Sequence, residues 1–342
     1  MATSKVFVVG PGYVGREIID LLRAEGKYDI TTLVRREAAA KEFQQDGVKA
    51  VLGDLNDSNV IEKHSAESDI VFHTATADHL ASVQAILKGI QNRADAGKHT
   101  IYLHQSGASV LSDTSPGNNV NNDIYSDKTA AQVDSLSNTA PHRQIDLAIV
   151  DARNKLGNKA KIFVWMPPII YGNNPKYGRL SIQIPALTRY ALKHKQAGYV
   201  GTGKKTWSVV HVLDLARAYV QVVHWLETAS DSDPELQNPY FFCESGETTW
   251  GEIASFIGKG LHAAGKIDTA ETVAIPEANF GDLFRGHTPD VVGCNSRNRG
   301  DRLRAMGWKA QQLGISDSFH QEDLPVLLAE SGPFKASEMT LS

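Results

Sequence analysis

What most constrains this chain is an alternation along its first half, in which short β-branched runs are separated by longer stretches with helical spacing. Lys5–Gly10 (KVFVVG), Asp29–Arg35 (DITTLVR), Lys49–Asp54 (KAVLGD), Asp69–Ala75 (DIVFHTA), Thr100–Ser106 (TIYLHQS) and Lys161–Met166 (KIFVWM) are mostly apolar at both alternating positions. A strand of that kind must be covered on both faces, and a parallel sheet flanked by helices covers it. Between the runs, Val14, Ile18, Ile19, Leu21 and Leu22 recur with helical spacing before Gly26, as do Val83, Ile86, Leu87 and Ile90 before Gly97. With right-handed crossovers, the fold class expected is α/β, a doubly wound parallel sheet. The chain's 342 residues also leave room for an appended lobe.

From Pro167 onward the alternation loosens. PPIIYGNNPKYGRLS reads as a loop, Ile182–Lys195 as a helix, Trp207–Val212 (WSVVHV) as a strand, Asp214–Thr228 as an amphipathic helix, PYFFCES as a strand and Trp250–Ala264 as a helix. The expected division is residues 1–166 for the main sheet, with 207–228 returning to it. Residues 167–334 form mainly a smaller, interleaved C-terminal substrate lobe, and 335–342 a frayed tail. Asp113–Asp123 (DTSPGNNVNND) is a polar loop at the carboxyl edge of the sheet, the edge where such folds hold ligands.

Composition narrows the partners. A formal charge of -4 without basic runs gives no reason to expect nucleic acid or an anionic membrane, so the expected partner is a small-molecule substrate. No apolar run is long enough to span a bilayer, and no signal-peptide pattern precedes the first strand. Cys243 and Cys294 are the only cysteines and lie far apart, which suits a reducing, cytoplasmic compartment. No cluster has metal-ligand spacing, so no metal is expected.

Gly10, Gly12 and Gly15 form G-x-G-x-x-G where the first strand meets the first helix. Gly10 permits a tight turn, Gly12 lets the backbone approach a diphosphate, and Gly15 lets the helix pack closely on the strand, while the helix amides around Tyr13 and Val14 meet the phosphates. A dinucleotide follows. At the end of the second strand, where an acidic residue would bind a ribose 2′-hydroxyl, stand Arg35 and Arg36. A guanidinium there suits a 2′-phosphate, so the cofactor expected is NADP(H), with Arg35 its main contact.

With these motifs in place the chain resembles the extended short-chain dehydrogenase/reductase family, whose members include nucleotide-sugar epimerases, dehydratases and ketone reductases. Gly53–Asp57 (GDLND) is similar to the family's third-strand motif, which implies that Asp54 binds the adenine amine and Leu55 packs on the ring. Phe72–Thr76 (FHTAT) is similar to the fourth-strand motif, with Thr74 and Ala75 lining the cofactor. Pro167–Gly172 (PPIIYG) resembles the loop that closes over the nicotinamide through Pro168 and Ile169, and Val210–Val220 and Ser296–Ala310 resemble later family segments. The resemblance runs to about Leu328. It implies a Rossmann sheet and a homodimer built on two helices, for which Ala81–Ala96 and Tyr125–Leu136 are the candidates.

The family's catalytic set is a serine after the fifth strand and a Tyr-x-x-x-Lys pair one helical turn apart. Ser106 stands at the serine position, with Ser109 as understudy. Tyr125 and Lys128 are three apart, not four, so one is displaced under either alignment. A spacing of three still leaves two side chains about 60° apart around a helix. Two readings of this pair stay open: both residues reach the nicotinamide ribose, or Tyr125 is a capping aromatic and Lys128 a solvated side chain. His211 and Asp214 are expected to fix a strand–helix junction, with Asp214 capping the helix. His73 and His104 are expected in the core. Met166, Tyr171, Tyr177 and Trp207 fall near the presumed substrate mouth.

The function expected is an NADP(H)-dependent oxidoreductase that reduces a small carbonyl metabolite by hydride transfer. Tyr125 would donate the proton, Lys128 would hold the ribose and Ser106 would bind the carbonyl oxygen. One alternative is an epimerase or isomerase, with Arg179, Lys204, Lys205 and Arg285 available for a substrate diphosphate. A second is a catalytically silent NADP(H)-binding regulator.

Overall fold

The computed structural model describes residues 3–113, 122–334 and 336. Strands β1 (Ser4–Val9), β2 (Tyr28–Val34), β3 (Lys49–Leu52), β4 (Ile70–His73) and β5 (Thr100–Gln105) alternate with helices α1 (Tyr13–Ala24), α2 (Glu37–Gln45), α3 (Ser58–Ala66) and α4 (Leu80–Asp95). After β5 the chain makes a two-residue strand β6 (Tyr125–Ser126) and a single turn α5 (Ala131–Asp134). Helix α6 (Arg143–Leu156) then leads into β7 (Ala160–Trp165). The remaining elements are β8 (Ile169–Tyr171), α7 (Gln183–His194), β9 (Ala197–Tyr199), β10 (Thr206–His211), α8 (Val212–Thr228), β11 (Tyr240–Phe241), β12 (Gly246–Thr249), α9 (Trp250–Ala263), β13 (Thr272–Ala274) and β14 (Asn298–Arg299).

The main sheet is seven-stranded and runs β11-β7-β5-β4-β1-β2-β3, every neighbouring pair parallel. Its strands are buried on both faces, as their double apolarity demands. Phe7, Val9, Val71, Tyr102 and Ile162 face α3, α4 and α6, while Val6, Val8, Phe72, Leu103 and Phe163 face α1, α2 and α8. Helix α6 forms because Ile145, Ile149 and Leu156 give it a buried stripe. The strand order reverses between β1 and β4, which opens a crevice at their carboxyl ends.

The second half divides differently from the sequence expectation. Strand β10 does not join the main sheet; it lies in a three-stranded sheet, parallel to β8 and antiparallel to β12. Only α8, from the expected 207–228 return, packs back, against α1. PYFFCES supplies β11, which extends the main sheet beside β7. In the lobe, Trp207 and Trp250 both donate their indole N–H to the Cys294 carbonyl, at 2.7 and 2.8 Å. The expected polar loop lies outside the described residues from 114 to 121, and the expected frayed tail does so except at residue 336. No helix among the described residues is long and apolar enough to cross a membrane. None of their His, Cys, Asp or Glu side chains group as metal ligands would.

Candidate active site

At the crevice each glycine of the turn meets a different constraint. Gly10 has φ +97°, and a Cβ there would fall 2.3 Å from the Ala75 amide nitrogen. A Cβ at Gly15 would fall 2.2 Å from the Gly10 carbonyl oxygen and 2.5 Å from Thr74 Oγ1. Thr74 donates its hydroxyl to that same carbonyl at 2.7 Å, so β1 and β4 are locked together where the turn begins. Gly12 has nothing within 4 Å of its missing Cβ; the open side of the turn is a place for a ligand. No side chain caps the first turn of α1 and no acidic residue stands in it, so the amides around Tyr13 and Val14 are offered to an anion. The Tyr13 hydroxyl donates to the Gly172 carbonyl, bringing the loop after β8 to the same edge. These residues fit a dinucleotide diphosphate.

The residues expected to meet the adenosine lie at the ends of β2 and β3. Arg35 and Arg36 are exposed at the end of β2, and their guanidinium groups make no ion pair or hydrogen bond among the described residues. Two free guanidinium groups beside an uncapped helix start form a cationic corner. Asp54 accepts the Asn56 amide with Oδ1 at 2.7 Å, and Leu55 is half-buried against the core. On the other side of the crevice the Ser106 amide donates to the Trp165 carbonyl and the Ala108 amide to the Pro167 carbonyl, at 2.8 and 2.9 Å. Pro168 and Ile169 are buried beside them.

The structure does not place Tyr125 and Lys128 on a helix. Tyr125 lies in β6, paired with Asn298 of β14, and its amide donates to the Arg297 carbonyl; Lys128 is exposed in the following turn. Asp127 pins this segment, because its carboxylate accepts the amides of Phe242 and Arg302 at 2.9 and 3.1 Å. The helix expected over Tyr125–Leu136 shrinks to α5. The start of the long helix after β5 carries His142 at its N-cap and Asp146 in its first turn instead.

His142 sits at the N-cap of α6 with φ +64°, a left-handed conformation that costs a non-glycine residue roughly 1–2 kcal/mol. Its ring bridges two side chains. Nδ1 lies 2.5 Å from Asp78 Oδ1 and Nε2 lies 2.6 Å from Ser109 Oγ. A carboxylate only accepts, so Nδ1 carries the proton and the Nε2 lone pair accepts from the Ser109 hydroxyl. Gly107 leaves room for this: a Cβ there would fall 3.2 Å from His142 Nε2. One turn on, Asp146 accepts the Ser106 hydroxyl with Oδ2 at 3.1 Å, while its Oδ1 is buried without a partner among the described residues. Burial pushes this carboxyl up to about 7. Ser109, His142 and Asp78 therefore form a proton relay at the carboxyl edge of β5, with a near-neutral carboxyl beneath it.

The sequence offered one unused signal for this site. HRQID, residues 142–146, has the i, i+4 spacing of the expected pair with other side chains at its ends. Nothing local announced Asp78, which comes from the loop after β4, 64 positions earlier in the chain. The core histidines are buried and close together, His73 Nδ1 3.2 Å from His104 Nδ1 and His73 Nε2 3.0 Å from Ser82 Oγ. Burial holds His73 down to about 3 and lowers His104 as well. His104 Nε2 has no partner among the described residues. At the later junction the capping role belongs to His211, which accepts the Leu213 amide at 3.2 Å. Asp214 instead accepts the amides of Gln311 and Gln312.

Residues 10–140 match a sequence family described as NAD(P)H-binding. The oxidase ucsJ of an Acremonium species is 30% identical over 344 aligned positions, covering 90% of this chain and 93% of that protein. A 4-hydroxy-2-methyl-3-oxo-4-farnesyl-3,4-dihydroquinoline-1-oxide ketoreductase from Stigmatella aurantiaca is 30% identical over 124 positions, 33% of this chain and 36% of that protein. In fold, the chain is similar to the crystal structure of a dTDP-glucose 4,6-dehydratase from Bacillus anthracis in complex with NAD. The TM-score is 0.65 and the identity 15%, over 95% of this chain and 96% of that one.

Proposed function

The chain belongs to the extended short-chain dehydrogenase/reductase family, and from that premise we propose that it is an NADP(H)-dependent oxidoreductase interconverting a small carbonyl compound and its alcohol. The observation that carries this reading is the position of His142, held between Asp78 and Ser109 at the edge where the dinucleotide crevice ends. When bound, the nicotinamide supplies or takes up the hydride. The remaining work falls to the chain's own side chains.

In the reducing direction the Ser109 hydroxyl hydrogen-bonds the substrate carbonyl oxygen. His142, in its protonated form, releases a proton through Nε2 to the oxygen as it becomes an alkoxide, directly or through Ser109 Oγ. Asp78 orients the ring and stabilises the imidazolium before it gives up that proton. In the oxidising direction the same nitrogen takes the proton back. Asp146, whose carboxyl burial raises to about 7, carries no positive charge in either protonation state and stands where an ionised lysine would repel an imidazolium, so cationic His142 is tolerated. Arg35 favours a coenzyme with a 2′-phosphate, and the open face at Gly12 receives the diphosphate. The relay gives the site its own proton donor, which weighs against the silent-regulator reading; the free Arg35 weighs against an epimerase that retains NAD.

The test is absorbance at 340 nm with purified protein, NADPH and a panel of ketones and aldehydes, and the reverse assay with NADP and alcohols. Asparagine tolerates the left-handed backbone at position 142, so His142→Asn should fold and lose on the order of 10²- to 10⁴-fold in kcat. Asp78→Asn should lose activity too, whereas Tyr125→Phe should retain it. Activity abolished by Tyr125→Phe but kept by His142→Asn would overturn the assignment.

A further inference from the structure

A strap of the second lobe, residues 172–179, is moored along α1. Asn174 donates to Glu17 Oε2 at 2.8 Å, Lys176 Nζ lies 3.2 Å from Asp20 Oδ2, and the Tyr177 ring lies under the Arg16 guanidinium at 4.5 Å. The strap ends in Arg179, whose Nη1 donates to the carbonyls of Pro11 and Gly12 at 2.8 and 2.7 Å. Both bonds use the same nitrogen. The Nε–Nη2 edge, the fork that matches two phosphate oxygens, has no partner among the described residues, and Arg179 makes no ion pair there. The guanidinium is half-buried and hydrogen-bonded only to two neutral carbonyls. The Tyr177 ring lies 5.7 Å away and Glu17 and Glu42 act on it only from beyond ion-pair distance, so the Arg179 fork is open to an anion. It stands beside the uncapped first turn of α1 and the open face of Gly12.

We infer that Arg179 is a diphosphate ligand contributed by the second lobe. Nη1 stays on the glycine turn and presents the Nε–Nη2 fork to the coenzyme's diphosphate, so coenzyme binding ties the lobe to the sheet. The inference rests on the proposed coenzyme site and specifies which group of the chain completes it. It also assigns Arg179 to the coenzyme and not to a substrate diphosphate.

Isothermal titration with NADPH and with adenosine 2′-monophosphate, which lacks the diphosphate, tests this on wild type, Arg179→Met and Arg179→Lys. Methionine keeps the apolar stem, and lysine keeps the charge without the fork. The expected result is an NADPH affinity about 10- to 100-fold weaker in Arg179→Met, a partial loss in Arg179→Lys, and unchanged affinity for the monophosphate in both. Equal NADPH affinity in all three proteins would overturn the inference. So would parallel losses for both ligands together with a lower thermal midpoint, which would mark Arg179 as a brace of the turn. Failure of the wild type to bind NADPH would instead strike the coenzyme reading itself.

Discussion

Replacing Asp146 by asparagine tests the electrostatics beneath the relay. Burial raises the Asp146 carboxyl from its ordinary 3.8 to about 7, even though the Ser106 hydroxyl bond pulls the other way. With the folded pKa above the unfolded one, the folded state keeps a proton between pH ~4 and ~7 that the unfolded state has released. The stability this group contributes is complete below its unfolded pKa, is lost as pH climbs to the folded value, and stays lost above it. The distance from 3.8 to about 7 amounts to roughly 4 kcal/mol at ~1.36 kcal/mol per tenfold change in proton affinity, more than half of which disappears between pH 5 and pH 8. Asp127 and Asp323, each raised to about 6 by burial, act in the same sense, but both remain in the variant and cancel in the comparison. Asparagine keeps an acceptor for Ser106 and cannot ionise. Urea unfolding of both proteins at the two pH values should show Asp146→Asn gaining a few kcal/mol on wild type as pH rises from 5 to 8. Parallel stabilities would refute the reasoning, because they would mean that the carboxyl ionises at no cost where it lies.

The glycines of the turn should separate stability from binding. Gly10→Ala forces a side chain into φ +97° and onto the Ala75 backbone, so its thermal midpoint should fall by the equivalent of at least ~2 kcal/mol. Gly12→Val projects into open space; its midpoint should hold while NADPH binding by fluorescence titration is lost, and a normal affinity would move the diphosphate elsewhere. Arg35→Ser should weaken NADPH by roughly 10- to 100-fold, as loss of a charge-assisted phosphate pair predicts, and leave NADH nearly unchanged. Wild-type affinity for NADH at or above that for NADPH would remove the role assigned to Arg35.

The parts of this molecule that could be read from the sequence are those whose requirement is local. A strand buried on two faces needs apolar residues at every position, and β1, β4, β5 and β7 announce themselves that way. Gly10 and Gly15 are dictated by a backbone angle and by two close approaches, so the turn was legible as well. What failed was decided at long range. Tyr125 to Leu136 has enough helical character to suggest a helix, yet the Arg297 carbonyl takes the Tyr125 amide and Asp127 holds Phe242 and Arg302. Those pairings across more than a hundred residues outweigh a propensity of a few tenths of a kcal/mol per residue. Strand β10 was misassigned for a similar reason, since WSVVHV suits either sheet and only its partners β8 and β12 settle which.

The misplaced catalytic pair carries a more general point about position and residue type. The fold fixes where a helix starts after β5, but not which side chains stand at that start. Here His142 stands at the helix N-cap and Asp146 in the first turn, and the chemistry of one constrains that of the other. A tyrosine acts through a phenolate that a neighbouring lysine cation stabilises, whereas a histidine that must become an imidazolium is opposed by the same cation. A buried carboxyl at about 7 removes that opposition, and Asp78 supplies the counter-charge from the far side of the ring. The three side chains therefore suit one another electrostatically. Restoring lysine alone, as Asp146→Lys, should lower the reductive kcat further than Asp146→Asn does, and equal rates in the two variants would uncouple the two positions.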